Sequence, residues 1–230
     1  MEKQAVNLTQ DQATERSTFY KKTYTHLALA FLAFITIEVL FLSSPTIINL
    51  GLAMTQGYTW LIVLGGFMLV TNYAEKWAAG TDNVKMQYLG FFLYILAEAF
   101  IFVPLLYMAI FVTEDPYLLQ KALITTLGLF TGLTAVVILS GKDFSFLRSI
   151  ITVGSIVALG IIVAGLIFGF DLGLVFMGAM VLLASAAILY QTSNLIHKYH
   201  PSQYVLASLG LFASFMLLLW YVISIFLSRD

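Results

Sequence analysis

No cysteine occurs among the 230 residues, so disulfides, thiolate metal sites and thiol catalysis are excluded. Charge is scarce too: Asp, Glu, Lys and Arg make up 10% of the chain, and the formal net charge is −1. There is no basic footprint for nucleic acid, and no stretch interleaves Lys or Arg with aromatics as a single-strand groove would. Also absent are a Gly-rich phosphate loop, an HExxH pair, a GxSxG elbow and a Ser-Lys arrangement, so no catalytic constellation is visible and no cofactor is expected. Residues 1–18 lack the basic start, apolar middle and small-residue cleavage site of a signal peptide.

What the chain has in abundance is apolar surface. Hydrophobic residues make up 60% of it, and the mean hydropathy is +0.94. A soluble protein of this length cannot hide that much in one core, so the surplus faces lipid. Apolar runs near the ~20 residues needed to cross a bilayer recur with polar punctuation between them. They cover 24–42, 58–73, 86–112, 118–139 and 204–227, while 149–190 is too long for one crossing and is divided at Asp171 into two. The reading is an all-α integral membrane protein: a cytoplasmic tail over 1–23, rich in Gln, Thr, Asp and Glu and expected to be mobile, and one bundle of seven transmembrane helices over 24–230. Six or eight helices are the alternatives.

Seven crossings sort the positive charges by side. One face collects the tail (Lys3, Arg16, Lys21, Lys22) and the loops holding Lys76, Lys85, Lys142, Arg148 and Lys198; the other has Lys121 and Arg229. The expected orientation is N-terminus cytoplasmic and C-terminus outside.

Two carboxylates fall inside apolar runs, Glu38 and Glu98. A charge placed there costs at least ~2.5 kcal/mol on insertion scales, so such residues call first for a functional reading. Each lies at a similar depth from the cytoplasmic face, and facing one another they would share a proton or hold a cation, forming an ion or proton path. The competing reading is structural: each is protonated or hydrogen-bonded to a neighbouring helix, with Glu38 near enough to the outer surface to reach water. Gln191 and Asn194, three apart on one helical face, form with His197 a candidate polar mouth on the cytoplasmic side, or an ordinary capped helix end. Gly65-Gly66, Gly128 with Gly132, and Gly160 with Gly165 suggest close helix packing.

Two segments carry a resemblance: Gly141-Lys142-Asp143-Phe144-Ser145-Phe146-Leu147 and Ala187-Ile188-Leu189-Tyr190-Gln191-Thr192-Ser193-Asn194-Leu195-Ile196-His197. With Pro104 in the third run, they resemble the Bax inhibitor-1 family in its bacterial YccA-like branch. The resemblance implies six helices around a central one, in an inner membrane. It also implies a pH-sensitive calcium or proton leak, or modulation of other membrane proteins, including restraint of a membrane-bound quality-control protease. The family's leak mechanism rests on a carboxylate at the Gln191 position paired with another in the last helix. Here Gln191 cannot ionise, and the last helix has no Asp or Glu before Asp230, so these residues do not supply that latch. A small-solute secondary transporter is the remaining alternative, though no internal repeat with broken helices is evident.

Overall fold

The computed structural model describes residues 2–80 and 83–229, with side-chain surroundings given from residue 13. The side chains of Lys3 and Asp230 lie outside the described residues.

Among the described residues eight α-helices follow in order: α1 (Glu2–Leu42), α2 (Pro45–Met54), α3 (Thr59–Ala79), α4 (Val84–Tyr107), α5 (Leu118–Ser140), α6 (Leu147–Phe168), α7 (Gly173–His197) and α8 (Tyr204–Leu227). Six of them are long and apolar enough to cross a bilayer, and a seventh span results if α2 and α3, bent by 104° at their junction, count together. The expected segments all appear, with two differences. The chain after Leu42, outside the expected runs, holds the short helix α2, which Pro45 starts because its fixed φ and missing N–H suit a first helical position. The segment expected to be a mobile tail is helical from Glu2, continuous with the first span.

α8 is the central helix, with 61% of its best apolar window buried inside the protein. It packs against α1, α3, α4, α5 and α7. Its sequence explains the position: Val205, Ala207, Leu209, Leu211, Phe212, Leu218 and Ile223 are buried, leaving a half-buried stripe at Leu206, Ala213, Leu217 and Trp220. Aromatic pairs fasten the outer helices to it, including Phe31 of α1 on Phe215 (4.6 Å between centroids) and Phe102 of α4 on Trp220 (5.0 Å, edge to face).

α4 approaches α3 closely at Gly90. A Cβ there would lie 2.4 Å from the Ala74 carbonyl oxygen and 2.8 Å from Trp77 Cβ, so only glycine permits this crossing. Gly65, Gly66, Gly128, Gly132 and Gly160 instead face open space. Gly165 alone of the expected glycines is buried and tight, a Cβ there standing 3.1 Å from Leu172; for the others helical period did not say which face meets protein and which meets lipid.

Candidate functional site

The connections α3–α4, α5–α6 and α7–α8 share one end of the bundle with the start of the α1 span, and here polar contacts concentrate. The two segments carrying the family resemblance meet at this end. Ser193 of α7 accepts a hydrogen bond from the Phe144 backbone N–H (2.8 Å) and donates to Asp143 (3.1 Å), tying the α5–α6 loop to α7. The Ser145 hydroxyl also donates to Asp143, and this bond chiefly holds the exposed Asp143 carboxyl below the usual range, with the Ser145 N–H, Ser193 and the charge of Lys198 assisting.

Arg16 closes the same end from α1. Its guanidinium donates to the carbonyls of Tyr199 (3.0 Å) and Ile196, which lie at the C-terminal end of α7 where unpaired carbonyls collect. The Tyr199 hydroxyl turns back to donate to Gln191 Oε1 at 3.1 Å. Burial pushes the Tyr199 phenol up to about 12, and Tyr190 and Glu75 add to the shift. Gln191 packs flat on the central helix, its Oε1 2.7 Å from where a Cβ on Gly210 would stand. Asn194 is buried, with its side-chain oxygen unpartnered, whereas His197 is exposed. The candidate mouth therefore comprises Gln191 with Tyr199, while His197 points away to solvent or headgroups.

Glu98 lies deeper, only 6% exposed. The Tyr94 hydroxyl one turn before it donates to its carboxyl, and the side chain faces a cavity of about 480 Å³ lined by α3, α4, α6, α7 and α8. Glu38, 4% exposed, sits between Phe34 and Phe41 on α1, whose rings pack on Phe102 and Phe100 of α4. Neither of its carboxyl oxygens has a hydrogen-bond partner. The two carboxyls are thus both buried but not joined by a hydrogen bond. Glu38 is buried inside the protein rather than open at its surface.

One residue of this region went unread in the sequence. Glu75, near the end of α3, lies within electrostatic reach of both Tyr94 and Tyr199. It is exposed, and its carboxyl acts on the deep tyrosine and the mouth tyrosine through charge, not through a hydrogen bond. A carboxylate close to a helix end reads as punctuation, and its partners are distant in sequence, so only the pattern of acid plus buried tyrosines in three dimensions reveals it.

A family model described as inhibitor of apoptosis-promoting Bax1 matches residues 16–230. An uncharacterised Pseudomonas aeruginosa protein is 36% identical over 124 residues, 54% of this chain and 55% of that one. Bax inhibitor 1 of Schizosaccharomyces pombe is 32% identical over 104 residues, 43% of this chain and 38% of that protein. Mouse protein lifeguard 4 is 30% identical over 121 residues, 52% of this chain and 51% of that protein. Each match spans about half or less of the relative's length. With the family match running from the α1 span to the end of the chain, and a bundle wrapped around its last helix, the protein is an integral membrane member of the Bax inhibitor-1 family.

Proposed function

We propose that this protein is a cation leak pathway rather than an enzyme, and that the route passes Glu98, Tyr94 and Glu75 toward the mouth at Tyr199 and Gln191. The observation that carries the reading is Glu98, a carboxyl 6% exposed, facing a cavity inside the bundle and hydrogen-bonded by Tyr94. Buried intramembrane acids that face a cavity are typical of ion and proton routes. Calcium requires six to eight oxygen ligands, and among the described residues no three His, Asp or Glu side chains gather as a metal site would need. A proton needs only a carboxyl and a hydrogen-bonded neighbour, which favours protons over calcium. The mouth lies on the cytoplasmic face in this reading. The Lys and Arg residues of this end outnumber those of the opposite end, where Lys121 and Arg229 stand, and this asymmetry supports that orientation. An inner membrane of a bacterial cell is the membrane proposed.

The test is proton and calcium entry into proteoliposomes from pH 5 to 8, comparing the wild type with Glu98→Gln and Glu38→Gln. Proton flux that Glu98→Gln reduces and Glu38→Gln leaves unchanged is the expected result. Wild-type vesicles as tight as empty ones would sink the proposal.

A second reading, modulation of another membrane protein such as a quality-control protease, has its own support. α6 packs chiefly on α7 and leaves Ile150, Val153, Ile156 and Val157 exposed, a face available to a partner helix. Crosslinking from Ile156 in native membranes yields a membrane-protein adduct if this reading holds and only self or lipid adducts if it does not.

A further inference from the structure

The Glu98 cavity has a second property that a proton path alone does not require: it is large, aromatic and laterally placed. α3 packs on α2, α4 and α8, and α6 packs chiefly on α7, so the cavity lies where no helix contact of similar extent joins α3 to α6. Trp60 and Leu64 of α3 line it on one side and Ile162 of α6 and Phe176 of α7 on the other, all four half-buried. No comparable packing of α3 on α6 closes the space between them, which leaves a gap between two outer helices.

The lining specifies the ligand. Trp60 stacks on Trp220 with centroids 6.1 Å apart, Phe102 meets Trp220 edge to face, and Phe176 meets Tyr221 at 6.1 Å, so aromatic rings wall the space next to Glu98. Ser214 donates its hydroxyl proton to the Gly210 carbonyl and Ser224 to the Trp220 carbonyl, both at 2.8 Å, so each offers the cavity lone pairs. A carboxyl, acceptor hydroxyls and aromatic faces suit a group that only donates hydrogen bonds and carries positive charge. No Lys, Arg or His lines the cavity, so a phosphate-bearing lipid would bring a negative charge without a counter-ion there.

We propose that this cavity binds a lipophilic amine from the bilayer, its ammonium on Glu98 between the aromatic walls and its apolar tail leaving through the gap between α3 and α6. The site shares its carboxyl with the proposed leak and rests on that reading only for Glu98's access to the cavity; bound amine would occupy the route.

Two of the chain's three tryptophans, Trp60 and Trp220, line the cavity, and Trp77 does not. In a Trp77→Phe background they report occupancy directly. Nitroxide-labelled decylamine and the matching labelled decanol are titrated into phosphatidylcholine proteoliposomes, with concentrations corrected to the amount in the bilayer. The amine is expected to quench at about tenfold lower membrane concentration than the alcohol, because a neutral analogue forgoes both the charge-assisted hydrogen bond and the cation–π attraction. Adding Glu98→Gln, nearly the same shape, brings the two probes together by removing the amine's advantage. Equal quenching by amine and alcohol in the Glu98-containing protein overturns the proposal. Amine preference in vesicles that pass no protons supports the site and removes only the leak, whereas proton flux without amine preference leaves the leak and removes the site.

Discussion

Replacing Arg16 by Met should loosen the end of α7 without touching the membrane core. The guanidinium makes two hydrogen bonds, to the Tyr199 and Ile196 carbonyls, and lies 5.9 and 5.8 Å from the Phe19 and Tyr20 ring centroids. Methionine keeps the stem's packing and removes the charge and donors. A hydrogen bond to a charged group contributes ~1.5–3 kcal/mol, but Arg16 is half-buried, and screening by water lowers that to about 1 kcal/mol each. The loss is then about 2 kcal/mol, roughly a thirtyfold rise in the open population at 1.4 kcal/mol per factor of ten. The Lys198 and Tyr199 amides report it, since both donate to the Asn194 carbonyl at 2.9 Å. Hydrogen–deuterium exchange of the peptide spanning them should accelerate by about that factor in Arg16→Met. Arg16→Lys should fall between, having the charge without the two-pronged geometry. Identical exchange in the wild type and Arg16→Met would refute the clamp.

Two further expectations concern packing and pH. Gly90→Ala drives a methyl into the α3 backbone and should lower thermal stability in detergent by about 1–3 kcal/mol, whereas Gly128→Ala, in open space on α5, should leave it unchanged or raise it by under ~1 kcal/mol; equal losses would contradict the crossing described at Gly90. The Asp143 carboxyl is held down by its hydrogen bonds, so its folded pKa lies below the unfolded ~3.9 and its contribution to loop docking is present above that value and lost as pH falls through the folded one. Exchange protection of residues 141–146, corrected for intrinsic rates, should stay flat from pH 8 to 5 and decline only below ~4; a decline between 7 and 5 would implicate another group.

The spans were legible because a bilayer imposes one length on every crossing, and 86–112 or 204–227 leave no other reading at their hydropathy. The burial of Glu38 and Glu98 followed from the same argument, since an acid inside such a run has nowhere polar to go without protein cover. What stayed hidden depends on rotation and on distant partners. α2 has ten residues and turns by 104° into α3, below the length at which hydropathy marks a helix. The tail's composition is polar, which says it avoids lipid but not that it is unfolded; its helix continues from α1, and Arg16 pins it to α7 across 180 residues of sequence. The contact between Ser193 and the Asp143 loop joins two segments already singled out separately, but only the folded chain shows that they are one structure.

The contacts of Gln191 bear on what pH can do at the candidate mouth. At the position where the family resemblance implies an ionisable latch, Gln191 accepts from Tyr199 while packed on Gly210. Glutamine has no titration, and the Tyr199 phenol is pushed up to about 12 by burial, so this hydrogen bond keeps the same protons from pH 5 to 8. Arg16 holds the backbone of the same turn with a charge that does not titrate either. The Gln191–Tyr199 contact is therefore a fixed polar seam at ordinary pH, and Asp143, already held in its ionised form, adds no switch to it. Any dependence of a leak on pH in this range then originates from groups beyond the Gln191–Tyr199 bond, and on the proposed route these are Glu98, hydrogen-bonded by Tyr94, and Glu75, which acts on Tyr94 through charge. Comparing the pH profile of Glu98→Gln with that of Glu75→Gln separates the deep acid from the shallow one without disturbing the seam between them and the aqueous face.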